Sequence, residues 1–131
     1  MVAYSFKARF ADAVADGRKT QTIRAPRKRH ARPGETLQLY TGMRTKQCRK
    51  LREVVCDSVR AIDLDFSANT ITIEGIGVLS NPAALDHIAT KDGFANWAEM
   101  KTFWPDATHF SGVLILWDQT APHVSPEAPK E

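Results

Sequence analysis

The sequence has only two cysteines and no long apolar run. Cys48 and Cys56 are eight positions apart, with no nearby cysteine or histidine to complete a zinc site. We therefore expect both to be structural, because a disulfide is rare in a reducing compartment. The longest apolar stretch, residues 112–117, is far shorter than the roughly 20 residues of a transmembrane helix. These absences argue against a zinc protein, a disulfide scaffold and a membrane-spanning protein.

Acidic residues are scarce in the first half of the chain. Residues 18–60 contain thirteen lysines and arginines but only three acids, Glu35, Glu53 and Asp57. Residues 61–131 contain three lysines and ten acids, so the net charge of +3 conceals two segments of opposite sign. A basic segment of this kind attracts phosphate groups, whereas the alternative is a solvated face balanced by the acidic half. The charge pattern alone leaves both interpretations open.

The composition is that of one globular domain, with 43% hydrophobic and 25% charged residues. No apolar segment near Met1 is typical of a signal peptide, so we expect a cytoplasmic protein. Residues 119–131 contain three prolines and no apolar periodicity. We therefore predict a folded domain over residues 1–118 and a disordered, proline-rich tail over 119–131.

The hydrophobic pattern predicts a mixture of short helices and strands. A first helix carries apolar residues at helical spacing and ends at Gly17, and a second begins at Asn81 and Pro82. A third helix is expected over residues 95–103. Alternation and β-branched residues predict strands over 20–24, 36–41, 50–64, 70–73 and 110–117. Five or six strands with short flanking helices predict an α+β protein built on a small mixed β-barrel.

Four motifs stand out against this pattern. Residues 17–24 read GRKTQTIR, which fits G-x-K-x-x-x-x-R, and residues 33–35 form a P-G-E turn. Residues 92–94 read DGF, and residues 110–117 fit F-x-G-x-L-I-x-W. In these motifs the chain resembles the ASCH family of the PUA-like superfamily, from about residue 6 to residue 118. The first motif is quite specific, whereas the turn and the closing strand are weak signals alone.

The resemblance implies a PUA-like barrel with a basic cleft that binds a nucleoside or RNA. ASCH proteins have been linked to RNA binding, transcription coactivation and ribonuclease activity. A small bacterial branch hydrolyses the acyl amide of N4-acetylcytidine and related cytidines, with no cofactor or metal. In that branch a lysine accepts a proton, a threonine three residues later is the nucleophile, and an acid donates a proton. These residues match Lys19, Thr22 and Asp92, although the branch has the longer glutamate where Asp92 stands.

Physical chemistry sets conditions on these three residues. A threonine hydroxyl needs a base, and a lysine can be that base only if burial or like charge from Arg18 and Arg24 lowers its pKa. Residues three apart on a strand face opposite sides, so Lys19 must lie on the turn after Gly17. The alternatives are a solvated Lys19 at a helix end, a plain strand residue at Thr22 and a turn residue at Asp92.

Further residues are candidates for binding the substrate. Arg24 and Arg44 present paired donors suited to a phosphate, a ribose or a base carbonyl. Tyr40 is suited to stacking on a base, or it is a surface aromatic of the barrel. The three tryptophans fall on apolar faces, which predicts that they lie in the core: Trp97, Trp104 and Trp117.

Two functions remain after this reasoning. One is an amidohydrolase acting on an acylated cytidine nucleoside, supported by Lys19, Thr22 and Asp92. The other is an RNA-binding ASCH module with ribonuclease activity, supported by basic residues in 27–32 and 44–52. We favour the enzyme. The sequence specifies neither the acyl group nor the oligomeric state.

Overall fold

The computed structural model describes residues 2–104 and 108–117. The predicted tail over 119–131 lies outside the described residues. Within them the chain forms seven strands and three short helices. In chain order they are β1 (Val2–Phe6), α1 (Ala8–Asp16), β2 (Gln21–Arg24), β3 (Thr36–Thr41), β4 (Arg49–Asp65), β5 (Thr70–Ile73), β6 (Gly77–Leu79), α2 (Pro82–Lys91), α3 (Trp97–Thr102) and β7 (His109–Trp117).

The long strand β4 connects the whole sheet. Its first half pairs antiparallel with β3, and its second half pairs with both β5 and β7. Beyond these neighbours, β1 pairs in parallel with β3, while β2 pairs with β7 and β6 pairs with β5. The α+β prediction is confirmed. In the described part of the chain the strands form one mixed sheet that is not closed into a barrel.

Alternating burial along the strands builds the core. In β1 the side chains of Val2, Tyr4 and Phe6 are buried, and in β3 those of Leu37 and Leu39 are buried. Alternate side chains of a strand point to opposite faces, so one face of each strand supplies the core. The amphipathic α1 packs its buried face against β1, β3 and β4.

The first element differs from the sequence-based prediction. Phe6 and Phe10 have helical spacing, yet Phe6 belongs to β1 and the helix begins only at Ala8. Parallel pairing with β3 and alternating burial outweigh the local periodicity. Gly17 ends α1 as predicted, in the left-handed conformation with φ of 89°. No helix in residues 2–104 and 108–117 is long and apolar enough to span a membrane.

Backbone hydrogen bonds connect the turn between α1 and β2 to three elements. The Lys19 N–H donates to Ala13 of α1 at 2.9 Å, and the Thr20 N–H donates to Lys91 of α2 at 3.0 Å. The Thr20 carbonyl accepts from the Trp117 N–H of β7 at 3.1 Å. Residues 18–20 are therefore held where the first helix, the second helix and the last strand meet.

Candidate active site

Lys19 and Thr22 meet the geometric condition set by the sequence. Lys19 lies on the turn before β2, and Thr22 is the second residue of that strand. The side chains of both are almost entirely buried, with Lys19 2% and Thr22 4% exposed. Both line the same cavity, so the turn allows residues three apart to face one space.

Lys19 and Asp92 form a buried ion pair. The Lys19 ammonium donates to the Asp92 backbone carbonyl at 2.5 Å and lies 3.3 Å from its Oδ1. Asp92 follows the last residue of α2 and is 5% exposed. The solvated alternative for Lys19 is therefore wrong. Asp92 does precede the turn at Gly93, but it is buried and paired.

Burial moves both members of the pair toward their neutral forms. Desolvation lowers the pKa of Lys19, against the opposing attraction of Asp92, and the nearby Arg24 guanidinium lowers it further. Desolvation likewise raises the pKa of Asp92, against the attraction of Lys19. Arg18 is exposed and bonded to Asp16 at 2.8 Å, so it is not part of this site. Because both shifts favour the neutral forms, transfer of one proton within the ion pair would give a neutral amine and a neutral carboxylic acid, which are a base and an acid suited to catalysis.

Arg24 donates a hydrogen bond from its charged guanidinium to Thr22, the candidate nucleophile. Its Nε donates to Thr22 Oγ1 at 2.9 Å, and its Nη2 donates to the Ser5 carbonyl at 2.8 Å. The guanidinium also lies over the rings of Tyr4 and Phe6, at 5.1 and 4.8 Å from their centroids. Burial lowers the pKa of Arg24, yet a guanidinium stays protonated in proteins. Positive charge at Thr22 Oγ1 favours loss of the hydroxyl proton.

These groups line a cavity of about 190 Å³, and five of its twelve lining residues are aromatic. The polar groups come from β1 and the residue that follows it, from the turn before β2, from β2 and from the end of α2. The aromatic side chains come from β1, α1, the turn after α2 and the end of α3. In full the lining is Ser5, Phe6, Lys7, Phe10, Lys19, Thr22, Ile23, Arg24, Asp92, Phe94, Phe103 and Trp104. An apolar cavity with a few convergent polar groups is typical of a small-ligand site.

The structure does not bring Tyr40 and Arg44 to this cavity. Tyr40 is half-buried on β3, and its hydroxyl donates to Gln38 Oε1 at 3.4 Å. Arg44 is exposed in the turn between β3 and β4, with φ of 69°. Of the six residues predicted for the site, four therefore lie together: Lys19, Thr22, Arg24 and Asp92.

Sequence reasoning missed the aromatic walls of the site. Phe6 and Phe10 were assigned to one helix face, and Trp104 was assigned to the core. Trp97 and Trp117 are buried as predicted, but Trp104 is half-buried and lines the cavity. The sequence feature that indicates these walls is the group of aromatic residues in and after the DGF motif, beginning with Phe94.

Gly93 permits the close approach of α1, the turn and α2. Its φ is 99°, a conformation that side chains rarely adopt. A Cβ at this position would lie 3.0 Å from Phe10 Cδ1 and 3.2 Å from Lys19 Cδ. The DGF motif therefore combines a buried acid with the one residue type that fits beside Lys19.

Within the described ranges, no group of three or more His, Cys, Asp or Glu side chains is placed to hold a metal ion. The two cysteines are unbonded, Cys48 exposed and Cys56 buried.

No protein-family model matches the chain, and no curated protein or solved structure matches it either.

Proposed function

We propose that this protein is an amidohydrolase that removes the acyl group from an N4-acylated cytosine nucleoside. One observation carries the proposal: the buried Lys19–Asp92 pair shares an aromatic-walled cavity with Thr22, whose hydroxyl is bonded to Arg24. The resemblance of four motifs to the ASCH family supports it, and membership of that family is part of the proposal. A relationship between this open mixed sheet and the barrel of that family is likewise inferred from the resemblance.

The first chemical step uses Lys19 as base and Thr22 as nucleophile. The neutral amine takes the hydroxyl proton while Oγ1 bonds to the acyl carbonyl carbon, which becomes tetrahedral and carries an oxyanion. Arg24 stabilises the negative charge that develops in this step, because its guanidinium is fixed by Ser5 and by two aromatic rings.

The second step breaks the carbon–nitrogen bond. Asp92 donates its proton to the leaving nitrogen, which departs as the amino group of cytosine, and the acyl group stays on Thr22 as an ester. Water then attacks this ester as the Asp92 carboxylate takes a proton from it, and the Lys19 ammonium returns a proton to Thr22 Oγ1. The acyl group leaves as a carboxylic acid, which loses its proton to solvent, and each residue regains its starting protonation state.

The shape and polarity of the cavity support a planar heteroaromatic substrate. Phe6, Phe10, Phe94, Phe103 and Trp104 supply the apolar wall. Aromatic faces stack on pyrimidine rings, as in proteins that bind single-stranded nucleic acids. Lys19, Arg24 and Asp92 line the part formed by the turn before β2, by β2 and by the end of α2, where the amide would lie.

Release of cytidine from N4-acetylcytidine tests the proposal directly. We expect the purified protein to convert the acylated nucleoside to cytidine and acetate, resolved by chromatography. The matched control is Asp92→Asn, which keeps the side-chain shape and removes the acid. Absence of cytidine release by the wild-type protein would contradict the proposed activity.

A basic surface supports RNA binding as the second candidate. Arg27, Lys28 and Arg32 are exposed in the segment before β3, and Arg27 lies 4.8 Å from the Tyr4 ring that also packs on Arg24. Lys46 and the neighbouring cations before and at the start of β4 are also exposed. Phosphate contacts from such side chains supply affinity without sequence preference.

A further inference from the structure

Gln21 is a fully buried polar side chain that has no part in the chemistry described so far. It is the first residue of β2 and is 0% exposed. Its Nε2 donates to the Ile88 carbonyl at 3.3 Å and to Asp92 Oδ1 at 3.4 Å. Gln21 does not line the cavity, so it contacts Asp92 from behind the site.

The Asp92 carboxyl is held through one of its two oxygens. Gln21 Nε2 and Lys19 Nζ both approach Oδ1, and within residues 2–104 and 108–117 no hydrogen bond reaches Oδ2. Donors directed at Oδ1 make that atom the acceptor, so the proton of the neutral acid resides on Oδ2. Asp92 lines the cavity, where a leaving nitrogen would need that proton.

Gln21 also destabilises the fold in a way that an apolar residue at this position would not. Its Oε1 is buried and has no hydrogen-bond partner among the described residues. An unsatisfied buried acceptor destabilises a fold, whereas an apolar side chain of similar shape would not. The amide is therefore better explained by what its Nε2 does for Asp92.

Resting on the hydrolysis proposed above, we infer that Gln21 is a positioning residue that holds Asp92 Oδ1 so that Oδ2 delivers the proton to the leaving nitrogen. The other charged groups that face Asp92 are Lys19 from the turn before β2 and Arg24 from β2 itself. Both remain in place when Gln21 is replaced. The effect of a replacement on Asp92 is therefore separable from theirs.

The pH dependence of kcat/KM tests this role. Gln21→Met keeps the side-chain length and removes the donor, so the Asp92 carboxylate loses a stabilising bond and its pKa rises. Because the reaction needs Asp92 protonated, we expect kcat to fall about tenfold and the alkaline limb of the profile to move up by about one pH unit. The matched control is Thr20→Val, which removes a neighbouring buried hydroxyl that has no hydrogen-bond partner in the part of the chain that the structure describes. It should leave the alkaline limb unchanged.

A second variant and a direct titration complete the test. Gln21→Glu places a carboxyl beside Asp92 and should move the alkaline limb further in the same direction. Carboxyl carbon-13 NMR follows the titration of Asp92 whether or not the protein is active, with Asp92→Asn identifying the signal. An Asp92 titration that is the same in wild type, Gln21→Met and Gln21→Glu overturns the inference. A shifted titration in a protein that releases no cytidine refutes the proposed hydrolysis but retains the contact that the inference needs.

Discussion

Thr22 is both a strand residue and the candidate nucleophile, and substitution separates the two roles. Thr22→Ser keeps a hydroxyl and should retain part of the activity. Thr22→Val keeps the β-branched shape and should lower kcat at least about a thousandfold. Valine suits β2, so thermal unfolding should show a loss of no more than about 2 kcal/mol, from the unpaired Arg24 Nε.

A covalent mechanism also predicts an acyl-enzyme intermediate at Thr22. A slowly hydrolysed acyl substrate should leave its acyl mass on the peptide that contains Thr22, detected by mass spectrometry of the quenched protein. Retained activity in Thr22→Val would leave water as the attacking group, with Lys19 and Asp92 as its activators.

Lys19 affects stability as well as activity, because it is buried. A surface lysine is replaceable at little cost, but Lys19→Met leaves the Asp92 carboxyl buried without its cation. We expect loss of hydrolysis and a destabilisation of about 3–5 kcal/mol near neutral pH, less where Asp92 becomes protonated.

The pH dependence of this stability has a defined sign. In Lys19→Met the pKa of Asp92 stays above its unfolded value, so the folded protein binds more protons than the unfolded chain. Its stability should therefore fall relative to wild type between about pH 5 and about pH 8, which thermal unfolding at both values measures. The double variant Lys19→Met, Asp92→Asn should lose most of this dependence, and a single variant without it would contradict the buried-pair description.

At the scale of the elements, the end of α2 tolerates little added bulk beside the site. Gly93→Ala should destabilise the protein by about 1–3 kcal/mol, because φ is positive and the new Cβ crowds Phe10 and Lys19. Gly34→Ala is the matched control, since its φ is 87° but nothing lies within 4 Å of the added carbon. Only the first variant should also impair hydrolysis, measured on N4-acetylcytidine. Equal losses of stability in the two variants would contradict the steric explanation.

Strands with one buried face were predictable from the sequence, and the site was predictable only in part. β3 has the predicted bounds and β4 lies within one residue of them, because apolar residues alternate on one face. β6 was missed because it has three residues and an exposed Val78. The Lys19–Asp92 contact joins distant parts of the chain, so only the resemblance to a family paired them. No periodicity could show that Gln21 lies behind Asp92.

For the whole molecule, ionic strength separates the two candidate functions. RNA held by several phosphate contacts should lose affinity steeply with salt, with a log–log slope of about −0.7 per contact on single strands. Hydrolysis of an uncharged nucleoside should change little over the same range. Fluorescence anisotropy of a labelled oligoribonucleotide and the cytidine assay, run at matched salt concentrations, measure both. Steep salt-dependent RNA binding without hydrolysis would favour the RNA-binding module.

The pairing of β2 determines when the site can form during synthesis. Within the described residues β2 pairs only with β7, and this pairing aligns Thr22 with Ile115. The Thr20 carbonyl accepts its hydrogen bond from the Trp117 N–H at the end of β7. Until residues 109–117 leave the ribosome, the strand that carries Thr22 has no neighbour to hold it. A nascent chain that lacks β7 therefore cannot hold the candidate site together. The slowest folding step of the protein is expected to be the formation of this distant contact.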